Sequence, residues 1–183
     1  LVMVGVGLGA LTAVWLGRRR GLSGEALGVL LPSAIAAALV GGHLFDVAWY
    51  FPDADSARWL RFYDGHSLAG ALLAATVTAA IIAHARRLDR ARVADALTMG
   101  ALVALTIGRV GCALVHDHLG VATDSVVGVD LPAYLARGDY DAGAGVDVVR
   151  VHDLGLAELL VLLAVAVALM ALFAARAHEQ GMA

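Results

Sequence analysis

Five stretches of the chain, residues 1–17, 26–45, 67–85, 96–115 and 154–175, are runs of apolar and small residues almost free of charge. A helix needs about 20 such residues to cross the hydrocarbon core of a bilayer. Repeated five times in 183 residues, this pattern leaves little material for a water-facing surface. Hydrophobic residues make up 61% of the sequence and charged ones 16%, with a mean hydropathy of +0.81. Soluble domains carry about 25% charged residues, so an ordinary water-soluble globule is excluded, and so is disorder. A net charge of −3 without a basic tail argues against nucleic acid as a partner. The expected fold is an all-α integral membrane protein. It is a single polytopic domain over 1–183, with five transmembrane helices and a small extracytoplasmic cap at 116–153. The first run opens abruptly at Leu1 and reads as the remnant of a longer helix in a trimmed chain.

The basic residues orient this bundle. All 13 are arginine. Arg18, Arg19, Arg20, Arg86, Arg87, Arg90, Arg92 and Arg176 fall on one side of the alternating path, while Arg58, Arg61, Arg137 and Arg150 fall on the other. By the positive-inside rule the N-terminus is outside and the C-terminus cytoplasmic. Residues 46–65 hold Trp49, Tyr50, Phe51, Trp59, Phe62 and Tyr63 and are expected to lie along the outer surface, where such rings prefer the headgroup level. Asp55 or Ser56 is placed to cap a short helix there, and Arg58 and Arg61 to snorkel. In the cap, 125–130 and 146–151 read as short β-rich runs of a hairpin.

With charge so scarce, the exceptions inside the apolar runs carry the most information. Arg109 lies within the fourth run, about 9 Å by helical rise from its outer end. Snorkelling to the headgroups is one reading. The other is that its planar, permanently charged fork faces the bundle and holds a phosphate. Gly108 and Gly111 flank it, and Gly100, Ala104 and Gly108 form a small-residue stripe that lets helices approach. Cys112 reads as a packing residue. Glu158, one turn into the fifth run, is either an acid favoured by the helix N-terminus or a counter-charge for Arg109 or Arg150. Five of the seven histidines, His43, His66, His116, His118 and His152, gather with aspartates at the outer ends. They offer candidate acid–base groups. A metal site is the weaker reading, because His116 and His118 would point apart on a helix and no HExxH motif is present. No cofactor is implied.

The run Gly108-Arg109-Val110-Gly111-Cys112-Ala113-Leu114-Val115-His116-Asp117-His118-Leu119-Gly120 resembles the signature of the prolipoprotein diacylglyceryl transferases, which begins Gly-Arg-x-Gly and closes on an acidic residue and a glycine. Gly41-Gly42-His43, Asp64-Gly65 followed by Ser67-Leu68-Ala69-Gly70, and Arg150-Val151-His152 followed by Leu156-Ala157-Glu158 resemble further motifs of that family in the same order. The chain thus looks like a divergent, shortened member. The resemblance implies transfer of diacylglyceryl from phosphatidylglycerol to the lipobox cysteine of a preprolipoprotein, in the bacterial cytoplasmic (inner) membrane. The candidates for substrate binding are then Arg109, Arg150, Glu158, Gly108, Gly111 and Gly120, and those for catalysis are His66, His118 and Asp117. The family's motif histidine falls on Ala69, and His66 stands one helical turn earlier. The alternatives are a non-catalytic phospholipid-binding or assembly protein of the same fold, or an intramembrane metal-dependent enzyme built on the His/Asp cluster.

Overall fold

The computed structural model describes residues 1–53, 55–63, 65–116, 118–132 and 148–181, and the side chains of 148, of 170 and of residues from 172 onward are outside that description. Its helices are α1 (Val2–Arg19), α2 (Gly24–Tyr50), α3 (Leu68–Ala85), α4 (Arg90–Val115) and α5 (Leu154–Gly181), with three short strands, β1 (Leu119–Ala122), β2 (Val129–Pro132) and β3 (Val148–Asp153). Among the described residues α2, α3 and α4 are long and apolar enough to cross a membrane, and α5 adds an apolar stretch over Leu154–Leu169. The protein is mostly helical, with three candidate membrane spans. The expected first and fifth runs are also helical. The contacts divide the chain into two units, Ala10–Gly100 and a second made of Leu1–Gly9 with Ala101–Ala183.

In the first unit, local chemistry sets the helix ends. At the end of α1, Gly21 takes φ +84° and the Leu22 N–H reaches back to the Gly17 carbonyl at 2.9 Å, closing a Schellman turn. The Ser23 hydroxyl then caps α2, accepting from the Ala26 N–H at 3.1 Å. Leu22, Leu27, Leu30, Ala79, Ala83, Val93 and Ala96 bury against one another, so the lower halves of α2, α3 and α4 share one apolar core. Toward its other end α2 meets α3 where both carry glycine. A Cβ on Gly70 would strike the Phe45 side chain and come within 2.7 Å of the Gly41 carbonyl, and one on Gly41 would strike Ala74. The Ser67 N–H donates to the Gly42 carbonyl at 3.0 Å, and the Ser67 hydroxyl caps α3. The Gly-Gly and Ser-x-x-Gly motifs are thus the two faces of a single close crossing. Beyond it, many large apolar side chains (Leu39, Leu73, Val77, Ile81) are exposed, as lipid-facing positions require.

In the second unit the small-residue stripe of α4 meets α1. A Cβ on Gly5 would lie 2.6 Å from the Ala104 carbonyl oxygen and 3.4 Å from the Gly108 nitrogen. The sheet is antiparallel in the order β1-β3-β2. The expected hairpin is therefore only half of it: β2 and β3 pair, with Asp130 opposite Arg150, two to four residues further along than the expected first run. The strand β1 adds on the far side of β3 with a register shift between Leu119 and Ala122. Its four-residue Leu-Gly-Val-Ala composition has too little alternation to announce a strand.

Candidate functional site

Arg109 is the charged group of α4 set among apolar residues, and α5 answers it. Its Nε stands 2.6 Å from Glu158 Oε2, an ion pair across the two helices. The Arg109 side chain is 15% exposed and Glu158 49%, so the cation is largely withdrawn while its counter-ion still reaches solvent. Of the two partners the sequence allows for Glu158, Arg109 is the one it takes. The guanidinium also points Nη1 at the Cys112 sulfur, 3.7 Å away, which places the free thiol one turn from the cation. Gly155 explains how α5 comes so near: a Cβ there would lie 3.2 Å from the Cys112 backbone and side chain. Glycine on α5 opposite a small residue on α4 lets the two helices close around the ion pair.

Seven residues beyond Arg109, the same pair of helices is joined again. The helix α4 ends at Val115, and His116 turns the chain with φ +50°, a left-handed conformation that non-glycine residues seldom adopt. Its Nδ1 stands 2.6 Å from Asp153 Oδ2. Asp153 is the last residue of β3 and the cap of α5, and its other oxygen accepts from the Leu156 N–H at 2.9 Å. The Asp153 side chain is 1% exposed, against 34% for His116. Both carboxylate oxygens are thereby used, one to start a helix and one to hold an imidazole.

The other sequence candidates fall into three sets. Arg150 pairs with Asp130 across β2 and β3, Nε to Oδ1 at 2.7 Å and Nη2 to Oδ2 at 3.0 Å. The hydrogen bonds from this fork, then its charge, hold the Asp130 carboxyl below the usual carboxylate range, with partial desolvation opposing. The hydrogen bonds to Asp130 likewise raise Arg150 further above its ordinary value. Arg150 is thus a strand-pairing residue in this structure, engaged at both edges of its fork rather than at Glu158. Gly120 lies tight in the sheet, where a Cβ would be 3.1 Å from His152. Gly111 is close to Leu1, and at Gly108 a Cβ would meet open space. His118 is exposed, and its backbone carbonyl accepts from the Leu154 N–H at 2.9 Å. Asp117 lies outside the described residues.

His66 belongs to the other unit, beside His43. That histidine is wholly buried on α2, its Nδ1 3.3 Å from the Gly65 carbonyl and its Nε2 3.3 Å from the Trp59 carbonyl, with the Phe62 ring at 4.6 Å and His66 at 5.8 Å. It ties the aromatic segment to α2. Within that segment a 3-10 turn runs over Arg58–Leu60 with Ala57, not Asp55 or Ser56, at its cap position; Asp55 Oδ1 accepts from the Arg58 N–H at 2.8 Å, and the Arg58 guanidinium lies over the Phe51 ring. Among the described residues no three His, Cys, Asp or Glu side chains gather as a metal site would need.

A family model described as prolipoprotein diacylglyceryl transferase matches residues 1–183. The chain belongs to that family. Among curated proteins no sequence matches it. Membership of the diacylglyceryl transferase family, together with the apolar helices, makes this a multi-pass membrane protein of lipoprotein biosynthesis, a process that joins a phospholipid donor to a lipoprotein acceptor. The Arg109–Glu158 pair and the start of α5 lie within the matched residues. Asp153 and His116 were missed as a unit by sequence reasoning. The signal available was the positional one: a helix ending one residue before a histidine, and an aspartate immediately before an apolar run.

Proposed function

We propose that the protein transfers the diacylglyceryl group of phosphatidylglycerol to the lipobox cysteine of a preprolipoprotein, at the outer face of the bacterial cytoplasmic membrane, with its N-terminus outside and its C-terminus in the cytoplasm. One observation carries this reading: Arg109, only 15% exposed, is fixed beside Glu158 at 2.6 Å, a permanently charged fork of five N–H donors held in place between α4 and α5. In a site largely withdrawn from water, a fixed cation binds the donor phosphate and stabilises the charge that develops on the departing glycerol phosphate. Gly108, open above the helix surface, leaves the lipid room to approach, and Gly111 lets Leu1 pack close beside it. Gly120, by its place in the tight sheet, and Arg150, through Asp130, shape the segment that covers the acceptor.

The acceptor thiol must lose its proton to attack. His66, one turn before Ala69, and His118 beside Asp117 are the bases that the motif pattern offers, and the geometry adds another, taken up below. Ala69 at the motif histidine favours a second reading, a phospholipid-binding protein without turnover. The test uses purified protein in phosphatidylglycerol micelles with a synthetic lipobox peptide, read by mass spectrometry. A diacylglyceryl mass gain on the peptide thiol is expected, and phosphatidylcholine in place of phosphatidylglycerol should give little. Binding of the lipid with no mass gain would overturn the transfer reading in favour of the second.

A further inference from the structure

Resting on the transfer reading above, we infer that His116, oriented by Asp153, is the base that deprotonates the acceptor thiol. A carboxylate only accepts hydrogen bonds, so in the neutral imidazole the 2.6 Å contact with Asp153 Oδ2 takes the hydrogen on Nδ1 and leaves the lone pair on Nε2. No other hydrogen bond to the ring is present among the described residues. The imidazole is partly exposed while its carboxylate is buried, the division a base needs: fixed behind and open in front. The backbone strengthens the inference. A histidine in the left-handed region at the end of a helix occupies a place that glycine fills without strain, and such strain concentrates at functional positions.

Spacing fits the chemistry. Arg109 and His116 both face the first turns of α5, seven residues apart, or about 10 Å along the helix. A thiol about 3 Å from Nε2, a glyceryl carbon about 3–3.5 Å beyond it, and a phosphate within about 3 Å of the guanidinium cover a comparable length. In the step, the S–H proton passes to Nε2 as sulfur attacks the glyceryl methylene carbon. A C–S bond forms and the C–O bond to phosphate breaks. Its electron pair leaves on the glycerol phosphate oxygen, opposite Arg109, and the proton on Nε2 passes to that phosphate. Nothing is oxidised or reduced.

The experiment compares wild type, His116→Gly, Asp153→Asn, His66→Ala and His118→Ala in the same peptide assay, with thermal unfolding of each. Glycine accepts the backbone at 116, so His116→Gly folds, yet its rate at pH 7 falls at least 100-fold. Added imidazole restores part of it. The deficit also narrows above pH of about 8.5, where the peptide thiol ionises unaided. Asp153→Asn keeps an oxygen to cap Leu156 but turns an amide N–H₂ toward Nδ1, which inverts the imidazole tautomer and lowers kcat rather than raising KM. His66→Ala and His118→Ala each lose less than His116→Gly, and added imidazole restores neither. If wild type transfers and His116→Gly does so equally well, or if its loss answers neither to imidazole nor to pH, the assignment is overturned while the transfer reading stands. Loss at His66 or His118 instead would move the base there. An inactive wild type would overturn the transfer reading itself, and this assignment with it.

Discussion

Replacing Arg109 with glutamine separates what the cation does for the fold from what it does for the reaction. Two charges about 4 Å apart interact by about 4 kcal/mol at an effective dielectric of 20 and by about 1 kcal/mol in bulk water. Glu158 is half-exposed and Arg109 nearly enclosed, which places their coupling near the geometric middle, about 2 kcal/mol. Against that stands the cost of holding an arginine in the apolar part of a membrane helix, about 2.5–3.5 kcal/mol at the centre and less toward an interface. Arg109→Gln gives up the first and recovers part of the second. Stability therefore changes by no more than about 1–2 kcal/mol, and glutamine still offers a donor to Glu158. The rate behaves differently. Losing a fixed donor at a developing oxyanion costs about 2.7–4 kcal/mol of transition-state stabilisation, a factor of about 10²–10³. Unfolding in detergent and peptide transfer, measured on Arg109→Gln, Glu158→Gln and the double variant, read both quantities. A cycle coupling energy near 2 kcal/mol in stability is expected, with a much larger effect of Arg109→Gln on turnover. If activity falls only in step with stability, or survives intact, Arg109 is a packing residue and the reasoning fails.

Three further outcomes follow from the same structure. Gly70→Ala forces a methyl against Phe45 and the Gly41 carbonyl, so α2 and α3 must separate; a stability loss of about 1–3 kcal/mol is expected in detergent unfolding. His43→Ala removes the ring that stands between the Gly65 and Trp59 carbonyls, and faster proteolysis within 51–65 should result while the cores of α2 and α3 keep their protection. Because Asp130 titrates below its ordinary value when folded, its pairing with Arg150 stabilises the sheet fully above the unfolded carboxylate value and is lost as pH falls through the lower folded one. Amide exchange in β2 and β3 should thus distinguish Arg150→Ala from wild type at pH 7, and the difference should shrink as pH falls below the ordinary aspartate value of 3.8.

The parts of this structure legible in the sequence are those where composition leaves few choices. Arg109 is conspicuous because the residues around it carry no charge, and Glu158 is conspicuous for the same reason one helix later. The glycines at 41, 42 and 70 announce a close crossing because small residues are what such a crossing needs. The histidines resist this logic. On a continued helix His116 and His118 would diverge, and that geometry speaks against a shared site. The helix stops at Val115, however, and the left-handed turn at His116 sends its ring toward Asp153. Whether a chain leaves the helix one residue earlier or later is a matter of capping, decided here by a carboxylate 37 residues away. Arg150 fails for a related reason. Its fork is satisfied by Asp130 through strand register, which local pattern does not encode.

The left-handed residue at the end of α4 sets folding and chemistry against each other at one position. A library screened for yield or heat tolerance alone would be drawn toward glycine at 116, since the conformation costs histidine about 1–2 kcal/mol that glycine is spared. The same library screened for lipid transfer would be drawn back to histidine. The two enrichments, run side by side, would measure how much robustness this membrane protein forgoes to keep one imidazole in place.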